Sequence, residues 1–144
     1  MFGSVLIVCV GNICRSPMGE GLARQMFPGA RVASAGLSAL VGRPADPIAV
    51  EIVRERGIDI SAHRAQPLTE TLVRDFELVL TMESWQTDDV ERLAPASRGR
   101  VFRLGHWTDF EIRDPYAQPR DAFERAFEGI ERGLIDMKAA LKIP

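Results

Sequence analysis

Residues 4–17 read Ser4-Val5-Leu6-Ile7-Val8-Cys9-Val10-Gly11-Asn12-Ile13-Cys14-Arg15-Ser16-Pro17. The first six, apolar at their centre, predict a strand covered on both faces, Ser4–Cys9. A helix signal follows at once, because Ser16 supplies a capping hydroxyl and Pro17 suits a first helical turn. A strand that passes into a helix through a short glycine-containing loop is the opening unit of a parallel α/β sheet. Its loop stands where a buried strand end meets a helix N-terminus, which is where anions bind.

The alternation continues outward from this unit. Met18, Leu22 and Met26 recur at spacings of four along the first helix, which stops at Pro28-Gly29. Arg31–Ala35 reads as a second strand ended by Gly36. Asp46-Pro47 begins a helix with Ile48, Ile52 and Val53 inward and Gly57 as its stop. Glu77–Met82 predicts a third strand, Ser84–Leu93 a helix, and Arg100–Leu104 a fourth strand. Asp121–Leu141 carries Phe123, Phe127, Ile130, Leu134, Met137 and Leu141 as one helical stripe. Gly129 and Gly133 inside it each cost about 1 kcal/mol against alanine, which close approach of the helix to the sheet explains. The fold class is therefore α/β, a three-layer sandwich with a parallel sheet flanked by helices on both faces. No repeat, low-complexity tract or linker divides the chain, so residues 1–144 read as a single domain. The irregular stretches, Leu37–Ala45 and Gly105–Arg120, fall where loops frame a ligand crevice.

Composition narrows the function. A net charge of −2 gives no reason to expect nucleic-acid or membrane binding. No apolar run approaches the roughly 20 residues of a membrane helix. Met1–Val10 lacks a basic leader and a small-residue cleavage site, so it reads as a first strand and not a signal peptide. The two cysteines stand five apart in one loop, too local for a disulfide framework, which points to a reducing cytoplasm.

The loop carries the chemistry. Arg15 follows Cys9 at the sixth position, so a guanidinium fork and the loop amides of Val10, Gly11, Asn12, Ile13 and Cys14 can surround a phosphoryl group while the thiolate attacks phosphorus. A free cysteine has a pKa of about 8.5; the helix dipole, the amides and Arg15 all favour its anion, with no histidine base needed. Gly11 admits close backbone approach, Asn12 tolerates a positive φ, and Ser16 can hydrogen-bond the sulfur as it leaves. A bare Cys-x5-Arg pattern most often means a buried strand cysteine and a surface arginine; the strand–loop–helix setting favours catalysis. Displacing an alcohol from phosphate needs a proton donor. Asp114, in Asp114-Pro115-Tyr116, supplies one, although alone it would read as an ordinary turn. Tyr116, Ile13 and Leu40 form an apolar rim suited to an aromatic ring.

With these residues in place, the chain resembles the low-molecular-weight protein tyrosine phosphatases. The resemblance rests on CVGNICRSP, on SAGL (Ser34–Leu37), on the Asp46-Pro47 helix start, on LTMES (Leu80–Ser84) and on the DPY loop. Gly105-His106-Trp107 and EIRDPY are similar to the bacterial subgroup paired with exopolysaccharide or capsule tyrosine autokinases. That likeness implies a four-stranded parallel sheet, a phosphocysteine on Cys9, and Asp114 as acid and then as base for water. It implies no metal and no cofactor, a phosphotyrosine protein substrate with a membrane tyrosine autokinase as a candidate, and a reversible Cys9–Cys14 disulfide that shields the nucleophile. Many eukaryotic members carry an aromatic where this chain has Leu40. Phosphoarginine-specific relatives carry threonine where it has Ile13, and a branched apolar side chain suits a phenyl ring better.

The rival readings are a phosphoarginine phosphatase and a thioredoxin-coupled arsenate reductase on the same scaffold. The second needs cysteines beyond Cys14, and there are none. A Cys–His hydrolase would recruit His63 or His106, and zinc would need a ligand spacing that these residues lack. His63-Arg64 falls in a loop able to brace Asn12. Trp85 and Trp107 read as packing or rim residues, and Arg54-Glu55-Arg56 as a solvated helix face.

Overall fold

The computed structural model describes residues 3–144; Met1 and Phe2, the start of the expected first-strand segment, lie outside the described residues. Its sheet has four parallel strands in the order β2-β1-β3-β4, with β1 at Ser4–Cys9, β2 at Arg31–Gly36, β3 at Leu78–Thr81 and β4 at Val101–Arg103. Each expected strand is present: the first keeps its bounds, and the third and fourth are each one residue shorter at both ends. The second runs on to Gly36, and the fourth stops at Arg103 because Leu104–His106 tightens into a 3-10 turn. The helices are α1 (Arg15–Met26), α2 (Pro47–Arg54), α3 (Glu70–Arg74), α4 (Ser84–Leu93) and α5 (Arg120–Ala140).

β1 is buried on both faces, and its side chains sort by alternation. Val5, Ile7 and Cys9 face the larger core with Met18 and Leu22 of α1, Ile52 of α2 and Phe123, Ile130 and Leu134 of α5. Leu6 and Val8 face the smaller core with Val73 of α3 and Val90 of α4. The expected stripe of α5 is buried from Phe123 to Met137, but Leu141 lies beyond the helix end and is exposed. Gly133 departs from expectation too. A Cβ there would meet the Leu104 carbonyl oxygen at 2.7 Å, and one on Gly129 would meet Ile112 Cγ1 at 3.1 Å. The close approach is to the segment after β4, not to the strands.

α3 had no sequence signal; five residues capped by the Thr69 side chain are too few to show a helical period. The path β1–α1–β2 on one side of β1, with β3 on the other, makes a switch point at the C-terminal ends of β1 and β3. Four connections gather there: residues 10–14 after β1, 37–46 after β2, Met82-Glu83 after β3 and 104–119 after β4.

Candidate active site

Residues 9–13 are wrapped from outside by hydrogen bonds to their carbonyls. Leu37 N–H donates to Cys9 O at 2.9 Å, Ser38 N–H to Val10 O at 2.9 Å, Leu40 N–H to Gly11 O at 3.0 Å and Asp46 N–H to Ile13 O at 2.8 Å. His63 Nε2 meets Asn12 O at 2.7 Å, the brace expected of that loop. With every carbonyl from residue 9 to 13 turned outward, the N–H groups of residues 11–14 donate to no protein group among the described residues. That is the electrostatic form of an anion nest. The loop can lie so close to residues 37–40 because residue 36 is glycine; a Cβ there would stand 2.5 Å from Val10 O.

The positive φ of the loop falls on Asn12, at 59°. Its side chain is fully buried and fully bonded. Nδ2 donates to Ser16 Oγ at 2.7 Å and to Ser34 Oγ at 2.9 Å, and Oδ1 accepts from Gln66 N–H at 2.9 Å. Ser34 in turn donates to Glu20 Oε1. Ser16 Oγ lies 2.9 Å from Cys9 Sγ, and Ser16 N–H donates to the same sulfur at 3.4 Å. Two expectations change here. Cys14, not Ser16, is the N-cap of α1, and no side chain caps it. Asn12 and Ser16, grouped with the phosphate-binding residues, have side chains beneath the loop that hold its shape and do not line its cavity; Asn12 still lends its N–H to the nest.

That cavity, about 160 Å³, is lined by Cys9, Val10, Gly11, Ile13 and Cys14, with Arg15 and Asp114, and by Ser38, Leu40 and Tyr116 on its rim. The structure thus brings together all but two of the residues singled out in the sequence. Ser38 is an addition that no local signal marked. Larger clefts elsewhere are lined by neither cysteine.

Arg15 is 1% exposed and held by one half of its guanidinium. Nη1 donates to Glu83 Oε2 at 2.9 Å and to Ile112 O at 2.7 Å. Nε has no partner among the described residues, and Nη2 stands 3.8 Å from Asp114 Oδ2. A buried donor left unpaired costs about 1–3 kcal/mol. Two oxygens of a phosphoryl group would satisfy the Nε–Nη2 edge as a bidentate pair. Glu83 had no separate reading from the sequence, although it lies inside LTMES. It is the N-cap of α4, with a reciprocal capping box to Gln86.

Asp114 is half-exposed, and its Oδ1 accepts the Tyr116 N–H at 3.0 Å. Burial pushes the Cys14 thiol well above its ordinary range, and the neighbouring carboxylate of Asp46 and the charge of Cys9 act in the same direction. Both cysteines are free thiols. Neither histidine touches the sulfur. His63 serves Asn12, and His106 packs on Phe102 and Trp107 with ring centroids 5.0 and 5.2 Å away. Among the described residues no group of three or more His, Cys, Asp or Glu side chains could hold a metal. No helix among them is long and apolar enough to cross a membrane.

Residues 4–143 match the family model for low molecular weight phosphotyrosine protein phosphatases. The probable low molecular weight protein-tyrosine-phosphatase EpsP of Ralstonia nicotianae is 52% identical over 134 residues, spanning 93% of this chain and 92% of that protein. The crystal structure of the Erwinia amylovora tyrosine phosphatase AmsI superposes with a TM-score of 0.92 at 43% identity, covering 97% of this chain and 93% of that one. The structure of Vibrio vulnificus Wzb in complex with benzylphosphonate superposes at 0.91 with 37% identity, covering 99% and 100%.

Proposed function

The chain belongs to the low molecular weight phosphotyrosine protein phosphatase family, and from that membership we propose that it hydrolyses phosphotyrosine in proteins by two displacements on phosphorus. The Cys9 thiolate attacks, the P–O bond to tyrosine breaks, and the Asp114 carboxyl gives its proton to the departing phenolate oxygen. Phosphorus is then held on sulfur. Asp114, now a carboxylate, takes a proton from water as the water oxygen bonds to phosphorus. The S–P bond breaks and inorganic phosphate leaves. The inward amides and the free edge of Arg15 carry the charge of both transition states. Ser16, with Oγ 2.9 Å from the sulfur, stabilises the returning thiolate.

One observation carries this reading: Cys9, Arg15 and Asp114 line the same small cavity, and the buried Arg15 Nε lacks a partner among the described residues. The wall of Ile13, Leu40 and Tyr116 supports an aromatic ester as substrate. So does the relative that binds benzylphosphonate, a phosphorus oxyanion carrying a phenyl ring through a methylene. Residues 1–144 act in this reading as one cytoplasmic domain that needs no metal. Its physiological substrate is a bacterial tyrosine autokinase of exopolysaccharide or capsule production, by the likeness of the Gly105–Trp107 and EIRDPY runs to that subgroup.

The test is acid quenching of a labelled aryl phosphate within one turnover, followed by mapping of the label. A thiophosphate at residue 9 that is absent in Cys9→Ser bears the mechanism out; turnover in Cys9→Ser ends it. Phosphotyrosine, phosphoserine and phosphoarginine peptides compared with and without EDTA then decide the substrate class. A preference for phosphoarginine would overturn the phosphotyrosine assignment.

A further inference from the structure

The N-terminus of α4 holds two carboxylates. Glu83 belongs to its cap; the other, Glu111, arrives from the segment after β4. Glu111 Oε1 accepts the Ser84 N–H at 2.8 Å and the Ser84 hydroxyl at 3.0 Å. Its Oε2 lies 3.2 Å from Arg103 Nη1 at the end of β4. Arg103 also donates to Phe110 O at 2.7 Å and to Asp109 Oδ1 at 2.7 Å. The next residue continues the anchorage: Ile112 N–H donates to Met82 O at 3.1 Å, and Ile112 O receives Arg15 Nη1 at 2.7 Å. Beyond Ile112 the character changes. Arg113 and Asp114 are exposed, and the turn that follows is held by local bonds, Tyr116 N–H to Asp114 Oδ1 and Gln118 N–H to Pro115 O. Asp114 inherits its position from the anchored residues three and two places before it.

We propose that Glu111 is a positioning residue for the proton donor: by seating the acid-bearing segment on the first turn of α4, it sets where Asp114 stands relative to Arg15. This rests on the acid role of Asp114 given above. The anchor joins a partial positive charge, the free N–H at a helix start, to a carboxylate whose second oxygen faces a guanidinium. As a partly exposed ion pair it adds little to stability. Its effect is geometric, since a displacement of about 1 Å at a catalytic group can cost up to about 100-fold in rate.

The test compares kcat/KM, which reports the first displacement, for a phosphotyrosine peptide and for 4-nitrophenyl phosphate, whose leaving group needs little protonation. Glu111→Ala should lose about 10-fold on phosphotyrosine and less than about 2-fold on the nitrophenyl ester. Glu111→Gln, which keeps an acceptor for Ser84, should recover most of that loss. In an Asp114→Asn background Glu111→Ala should cost nothing further. Equal losses on both esters, an added loss in the Asp114→Asn background, or no loss at all would each overturn the proposal. Asp114→Asn alone reads the acid role separately: if it fails to distinguish the two esters, that role falls first. If Glu111→Ala lowers the melting temperature enough to obscure its rate, Glu111→Asp, which keeps the charge but shortens the reach to Ser84, must still lose more on phosphotyrosine than on the nitrophenyl ester.

Discussion

Glu83 Oε2 lies 2.9 Å from Arg15 Nη1, and that contact joins the cap of α4 to the floor of the cavity. Because Glu83 and the Ile112 carbonyl both take Nη1, the guanidinium is turned so that Nε and Nη2 remain for a ligand. A lysine at this position could reach one of those duties and not the other.

Glu83→Gln should therefore damage oxyanion binding as well as folding. Stripping the partner from a buried charge costs about 3–5 kcal/mol, but Glu83 is partly exposed and the amide keeps a hydrogen bond, so about 1–2 kcal/mol is expected here. The expected outcome is a roughly 10-fold weaker inhibition by inorganic phosphate with a comparable fall in kcat/KM, a loss of about 1.4 kcal/mol in each. Inhibition constants measured beside urea denaturation check it. Unchanged phosphate affinity would mean that the Ile112 carbonyl alone orients Arg15.

Asn12 separates backbone strain from hydrogen bonding. Asn12→Ala removes two donors and the acceptor for Gln66 N–H, all within the buried core of the loop, and leaves a β-carbon at φ 59°. A loss of about 2–4 kcal/mol is expected. Asn12→Gly removes the same bonds but relaxes the φ, so it should be about 1 kcal/mol less costly. Equal midpoints for the two variants in chemical denaturation would show that the left-handed conformation carries no strain.

The parts of the site visible in the sequence are those that local pattern carries. Cys9, Arg15 and the Gly11-Asn12 turn sit in one loop between a strand and a helix, so their convergence follows from chain geometry. Asp114 lies 99 positions from Arg15 in the chain. Alone it reads as a turn, and only the loop chemistry points to it as a proton donor. What escaped the reading depends on contacts between connections. Glu83 and Glu111 each serve a helix N-terminus and an arginine at once, and single-chain pattern shows neither duty. Ser16 looked like a cap because serine before proline usually is one; the sulfur and Asn12 take its hydroxyl instead. Leu141 continued the apolar period of α5 past the point where the helix stops and the core ends.

Cys14 gives a prediction with a sign in pH. Burial raises its thiol pKa in the folded protein, so the native state keeps a proton that the unfolded chain releases above about pH 8.5. Native protein then binds more protons than unfolded, and stability falls as pH rises from that point, by at most about 1.4 kcal/mol per pH unit. Cys14→Ala should flatten this part of the curve between about pH 9 and pH 10. Urea midpoints of the two proteins across that window check it. The same burial keeps Cys14 a thiol during catalysis, so iodoacetamide at neutral pH should alkylate residue 9 and leave residue 14 untouched in peptide mass spectra. Equal labelling of both would refute the assignment.

Gly133 tests whether α5 fixes the segment that leads to the acid loop. Alanine would gain about 1 kcal/mol in helix propensity, yet its Cβ would stand 2.7 Å from the Leu104 carbonyl oxygen and 2.8 Å from Leu104 Cβ. Leu104 is fully buried at the end of β4, so it has little room to retreat, and overpacking of this kind costs about 1–3 kcal/mol. At Gly129 the first obstacle is Ile112 Cγ1 at 3.1 Å, a side-chain atom able to rotate away. Gly133→Ala should thus be destabilising on balance, and Gly129→Ala close to neutral. The discriminating measurement is the pair of urea midpoints with the phosphotyrosine kcat/KM of each variant. Because Leu104 directly follows Arg103, whose guanidinium pairs with Glu111, Gly133→Ala should also lose activity; a stabilised, fully active Gly133→Ala protein would mean that α5 does not constrain that segment.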